Sequence, residues 1–266
     1  MKTVIVLFIL IVILMNSQGE GVSIGTYNYP VCQSWNPNLR GSKCVGFAAG
    51  AALSPPSQVT NMQQRILSSY IYLKAQSIAV GDITAQDNAT VFAGTTLNQL
   101  ATVFADINAN GINSTYWNTI CTHEIGHSVS IPTLSTIVYH IMQDLTNAKA
   151  TLIKLLRKGF VVIVNLYERD LYDIGMGKGP DEYMNDVYGI NPSFTDAQGV
   201  VHDTAHATHS ILVVGVDDDQ ENFIVIDSAN IAGICGTKRT YRGDFQILDM
   251  MAIAPQWSTL TTSGLN

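Results

Sequence analysis

The feature that most constrains this fold is a change of hydrophobic period near residue 159. Upstream, apolar residues recur every three or four positions. Downstream, they come as short β-branched runs. The small-residue run Cys44-Val45-Gly46-Phe47-Ala48-Ala49-Gly50-Ala51-Ala52-Leu53 reads as a helix opening at Cys44, with Ser42 as its cap and Pro55-Pro56 as its end. Met62, Ile66, Tyr70 and Leu73 mark a second helix over 59–77. Leu97, Leu100, Phe104 and Ile107 mark a third over 95–110, with Gly111 just past its end. A fourth is expected over 146–158, closed by Gly159. Phe160-Val161-Val162-Ile163-Val164, 211–216 and 223–226 then read as strands, and 245–253 as a weaker one. Asp217-Asp218-Asp219-Gln220 reads as a hairpin turn. Helices first and strands later imply an α+β fold. Its helical lobe would cover roughly 40–145 and its sheet lobe roughly 146–255, with a groove between them.

The chain has 266 residues, 47% of them apolar and only 13% charged, so a sizeable core is within reach. A net charge of −7 without any lysine or arginine run argues against nucleic acid as a partner. After Met1-Lys2-Thr3 the residues 4–15 are uniformly apolar, and Asn16-Ser17-Gln18-Gly19 restores polarity. Such a run is well short of the roughly 20 residues that span a bilayer. It fits the core of a secretory signal over 1–19, cleaved near Gly19, with 20–266 as the mature domain. The protein is therefore expected outside the cytosol, secreted or lumenal. A membrane tether would follow only if the segment stays uncleaved. Secretion makes disulfides relevant. If Cys44 stays free, Cys32, Cys121 and Cys235 remain and allow at most one bridge, whose pairing is open. Asn88-Ala89-Thr90 and Asn113-Ser114-Thr115 spell glycosylation acceptors, meaningful only in a eukaryotic secretory route.

Three chemistry-bearing residues fall at the edges of expected elements. Cys44 opens a helix, His209 heads the apolar run His209-Ser210-Ile211-Leu212-Val213-Val214-Gly215, and Asp227 ends the next strand. A helix N-terminus and a nearby imidazolium both lower a thiol's pKa, and the thiolate is the nucleophile. A carboxylate behind the imidazole fixes its tautomer and orientation. The set reads as a nucleophile, a general acid–base and an orienter, with the Cys44 backbone N–H facing the developing oxyanion.

The words around these residues resemble papain-like cysteine peptidases, particularly divergent microbial and viral members. Cys44-Val45-Gly46-Phe47-Ala48 resembles their nucleophile helix. Leu67-Ser68-Ser69-Tyr70-Ile71-Tyr72-Leu73-Lys74-Ala75 is similar to the helix that follows it. Ala109-Asn110-Gly111-Ile112 with Tyr116-Trp117, and Ile153 through Val162, resemble further words in order. His209 precedes Gly215 as the family's base precedes its glycine, and 223–228 resembles the strand that carries the third triad member. The resemblance implies a two-lobe papain-like fold with the active-site cleft between lobes. It implies a cysteine-type endopeptidase acting on peptide or protein substrates, with no metal or organic cofactor. It also implies an oxyanion donor six residues before the nucleophile. That position is Asn38, where the family has glutamine, and Gln33 is the backup. Asp227 stands where the family usually has asparagine, and no tryptophan follows it. The residues 20–43 leave no room for the long inhibitory propeptide of many papain relatives.

Other readings compete. His123-Glu124-Ile125-Gly126-His127 spells the His-Glu-x-x-His motif of zinc peptidases. That motif needs both imidazoles on one helix face and a third ligand. Thr122, Val129, Ile131 and Pro132 instead favour an extended segment, so a polar loop joining the lobes is expected there. His202 and His206 lie near His209 in a loop expected to be solvated, and His206 is the alternative base. A non-catalytic papain-fold binding protein is a further class. So is acyl transfer or deamidation, which shares the thioester intermediate.

Overall fold

A computed structural model describes residues 43–55, 58–83, 95–177, 193–195, 201–203, 208–217, 219, 221–229, 238–256 and 258–261. The expected signal segment, Cys32, Gln33, Asn38, Ser42, Asn88, His206 and Cys235 lie outside the described residues, as does the His202 side chain.

The helix expected at Cys44 forms as α1, Cys44–Ala52, and all nine of its residues are buried. A helix apolar on every side belongs in the middle of a fold. Its glycines let it sit there. A Cβ on Gly46 would stand 2.7 Å from the Tyr72 Cβ, and one on Gly50 would enter the Ser68 side chain. Tyr72 and Ser68 belong to α2, Asn61–Ala75, which opens with a capping box between Thr60 and Gln63. Helix α3, Leu97–Asn110, opens with the same device between Thr96 and Gln99 and ends at Gly111, whose φ of 72° suits glycine.

The loop expected around His123 starts later than expected: an additional helix runs into it as far as Ile125, and the irregular chain begins at Gly126. Helix α4 runs Ser114–Ile125. Asn113 caps it by accepting from the Tyr116 N–H at 2.9 Å. Tyr116, Trp117, Ile120, Cys121 and Glu124 form its buried face, a helical spacing that outweighs the β preference of Thr122. Gly126 ends it in the left-handed region at φ 73°. The Trp117 Nε1–H donates to Val129 O at 2.7 Å and ties the exit chain back onto the helix.

Strand β1, Tyr139–Ile141, and helix α5, Ala148–Arg157, lead to β2, Val161–Tyr167. After β2 come the short ladder of β3, Ser193–Thr195, with β4, Val201–Asp203. Then follow β5, Thr208–Val216, β6, Asn222–Ile226, β7, Lys238–Arg242, and β8, Ile247–Ile253. The main sheet has six strands in the order β1-β8-β2-β5-β6-β7, each pair antiparallel. The expected β5–β6 hairpin closes where Asp217 Oδ1 accepts from the Glu221 and Asn222 N–H groups. Strand β7 was not legible as a strand. Its sequence is charged, and only the alternating burial of Arg239 and Tyr241 reveals the period of two.

Period-two alternation divides the sheet between two cores. Val161, Ile163, Leu212 and Val214 face the α1 side and pack with Cys44, Ala48, α2 and α3. Val162, Val164, Ile211 and Val213 face the other way and pack with Leu152, Leu155 and Leu156 of α5. The architecture is α+β, as the change of period implies, with α1 lying directly on the sheet. Burial on both faces explains why β2 and β5 read as continuous apolar runs rather than alternating ones.

Candidate active site

Three elements deliver the three expected residues to one point. Cys44 begins α1, His209 is the second residue of β5, and Asp227 directly follows β6. Their exposures are 5%, 3% and 0%. Antiparallel pairing of β5 with β6 returns the end of one strand beside the start of the other, which brings residue 227 to residue 209. The seating of α1 on the sheet brings the thiol to the ring.

His209 Nε2 lies 2.7 Å from Asp227 Oδ1. The Cys44 thiol also hydrogen-bonds this imidazole. An ionised carboxylate only accepts, so Nε2 carries a proton and Nδ1 is the nitrogen left to exchange a proton with the thiol. Burial opposes a charge on His209. The Asp227 charge and hydrogen bond, together with Cys44, outweigh it and hold the imidazole well above the ordinary histidine range. Burial likewise opposes ionisation of Asp227. His209, the Tyr241 hydroxyl and the Ala229 N–H overcome it and lower its pKa to about 2. The distances agree: the Ala229 N–H donates to Oδ1 at 2.8 Å, and the Tyr241 O–H donates to Oδ2 at 2.6 Å. Both carboxylate oxygens are therefore occupied by donors.

Around this line lies a second layer that the sequence reading missed. Tyr241 is fully buried, and burial together with the Asp227 charge pushes its phenol well above the usual value, so it remains a donor. Arg239, two residues earlier on β7, donates to Asp173 Oδ2 at 2.9 Å and contributes its positive charge beside Asp227. Glu168, just past β2, brings Oε1 to 4.0 Å from His209 Nδ1. The available signals were the Arg-Thr-Tyr alternation in 238–242 and an acid immediately after an apolar strand.

The N-terminus of α1 supplies N–H groups to the same point. The first intrahelical bond is Phe47 N–H to Lys43 O at 3.1 Å, so the N–H groups of the first turn are not consumed by the helix. Lys43 makes no side-chain cap. Burial lowers its pKa to about 8, against the field of Glu124 and with that of Arg65.

The His-Glu-x-x-His motif does not form a metal site. Helix α4 stops at Ile125, and left-handed Gly126 separates the two histidines. His127 turns its Nδ1 to the Ile125 carbonyl at 3.0 Å, while His123 Nδ1 pairs with Glu124 Oε1 at 2.7 Å. The two imidazoles thus do not share the helix face that zinc binding requires. Cys121 is a free thiol in the core between α4 and α2, so it does not form the single bridge left open above. Comparison with known proteins finds no family model and no curated protein that matches the chain.

Proposed function

We propose that the chain is a cysteine peptidase of papain-like architecture, secreted or held at a membrane by its N-terminal segment, that hydrolyses peptide bonds. The observation that carries this reading is the buried line Cys44–His209–Asp227, with a carboxylate pinned by Tyr241 and Ala229. The order of parts supports the papain-like frame: nucleophile on an early central helix, base on a sheet strand, orienter after the next strand. Among the described residues, no helix is long and apolar enough to cross a membrane.

The chemistry follows from the charges. Cys44 passes its proton to His209 Nδ1, and the resulting imidazolium is held by Asp227. The thiolate attacks the scissile carbonyl carbon, and the negative charge moves to the carbonyl oxygen. The Cys44 backbone N–H at the α1 terminus meets that oxygen, with Asn38 as the expected second donor. Collapse re-forms the carbonyl and expels the amine, whose nitrogen takes the Nδ1 proton. The product is a Cys44 thioester. Water, deprotonated by the now neutral His209, attacks the thioester, and the thiol leaves with the proton returned. No step needs a metal or organic cofactor.

The test is digestion of an unfolded protein substrate by the purified chain, by Cys44→Ala, and by the wild type with a metal chelator. Cleavage that survives the chelator and vanishes in Cys44→Ala supports the reading. Cleavage retained by Cys44→Ala, or lost to the chelator, overturns it.

A further inference from the structure

The triad chemistry does not use Glu168, yet that residue sits where the chemistry happens. Strand β2 pairs Leu166 with His209 and Tyr167 with Thr208. The next residue begins a single 3-10 turn, Glu168–Asp170, closed by the Leu171 N–H donating to the Glu168 carbonyl at 3.1 Å. Where the ladder ends, the Glu168 side chain lies beside the ring. Its Oε1 is 4.0 Å from His209 Nδ1, and both side chains are 3% exposed. Placing a carboxylate out of water is costly unless a positive charge stands beside it.

The groups facing the ring come from three elements, and two more act on those groups. Cys44 faces it from α1, Asp227 from the end of β6, and Glu168 from the turn after β2. Tyr241 and Arg239 on β7 act on Asp227 from behind, with Asp173 paired to Arg239. Tyr72 of α2 feels the Cys44 charge. Nε2 is committed to Asp227, so Nδ1 does all the proton traffic. When the thiolate attacks, its electron pair enters the new S–C bond and the charge moves to the carbonyl oxygen. The imidazolium then loses its sulfur counter-charge before the amine has left. If the ring gave its proton to water at that stage, the thiolate would be the better leaving group and the intermediate would revert.

We propose that Glu168 is a positioning residue for His209, a second carboxylate that keeps the Nδ1 proton on the ring and aimed at the departing nitrogen after the thiolate charge is gone. The proposal rests on the Cys44–His209–Asp227 reading. The C–N bond pair leaves on nitrogen, that nitrogen takes the Nδ1 proton, and Glu168 itself neither gains nor loses one.

The test separates Glu168 from the peptidase reading. His209 is titrated by NMR in Cys44→Ala, where no sulfur contributes, and again in Cys44→Ala with Glu168→Gln, which keeps the shape and removes the charge. The His209 pKa should fall by about one unit or more, the shift typical of losing one opposite charge at this range. In the chain with Cys44 intact, Glu168→Gln should move the alkaline limb of kcat/KM to lower pH by a similar amount, with KM little changed. Glu168→Asp, with a shorter reach, should give an intermediate shift and serves if the glutamine variant does not fold. An unchanged His209 titration in a folded double variant overturns the proposal and leaves the peptidase reading standing. A shifted titration in a chain that cleaves no peptide overturns the peptidase reading, and the role in leaving-group protonation with it.

Discussion

Two acid–histidine pairs in this molecule share one distance and differ in everything that makes such a pair useful. His209 Nε2 to Asp227 Oδ1 and His123 Nδ1 to Glu124 Oε1 are both 2.7 Å. The second pair joins neighbours in sequence at the end of α4. It uses up Nδ1, and Glu124 Oε2 has no hydrogen-bond partner among the described residues. The first joins residues eighteen apart, carried by two strands. Its carboxylate accepts from a tyrosine and a backbone N–H, and its ring has a thiol on the other side. An imidazole becomes a base by what occupies both of its nitrogens, and of these two pairs the one at His209 has that arrangement.

The comparison breaks most sharply under alanine. Cys44→Ala should abolish peptide hydrolysis, and His209→Ala should lower kcat/KM by about 10²–10⁴-fold, the usual contribution of a positioned acid–base. His123→Ala should leave kcat/KM within about twofold. Steady-state assays on one peptide substrate decide this, and equal losses from the two histidines would erase the distinction.

Asp227→Asn should follow, with a loss of about tenfold or more in kcat, because the amide oxygen, kept toward Nε2 by the Ala229 N–H, preserves the tautomer but no longer holds the imidazolium charge. Glu124→Gln, the matching change in the other pair, should spare kcat. Its effect should appear instead in thermal unfolding, on the order of 1–2 kcal/mol, through the lost charge-assisted bond to His123.

Tyr241→Phe removes one donor and keeps the ring. Chemical denaturation should register a loss of about 1.5–3 kcal/mol for a buried hydrogen bond to a charged group. An unchanged midpoint would mean that Oδ2 does not depend on Tyr241.

The pH dependence of stability should report the His209–Asp227 pair directly. Asp227 has a folded pKa of about 2, below its ordinary value of 3.8, so its contribution is present above that ordinary value and is lost as pH falls toward 2. His209 has a raised folded pKa, so its contribution is complete below its ordinary value of 6.5 and is lost as pH rises through the raised value. Asp227→Asn should flatten the acid arm of an unfolding-free-energy profile.

Much of the candidate site was legible because its three residues fall at element edges. The apolar runs announce those edges: Cys44 precedes small residues, His209 precedes Ile211-Leu212-Val213-Val214, and Asp227 follows Phe223-Ile224-Val225-Ile226. The supporting residues were not legible for physical reasons. Tyr241 and Arg239 lie in a short strand of charged appearance, and their inward turn depends on pairing with β6. Glu168 acts through a turn whose direction is set by where the β2–β5 ladder stops. The end of helix α4 is hidden in the sequence because Thr122, Val129 and Ile131 read together as one extended segment. The Asn113 cap and the Tyr116-Trp117, Ile120-Cys121, Glu124 stripe were the stronger signal, and Gly126 divides the segment.

Reaction of Cys44 with a peptide-like epoxide, followed as a rate against pH and mapped by mass spectrometry, tests the central claim most directly. The account predicts modification at Cys44 rather than at Cys121, already fast below the pH at which an isolated thiol ionises, and slowed at least tenfold in His209→Ala. Modification that proceeds at the same rate without His209, or that only begins near the ordinary thiol pKa of about 8.5, would contradict a thiolate–imidazolium pair.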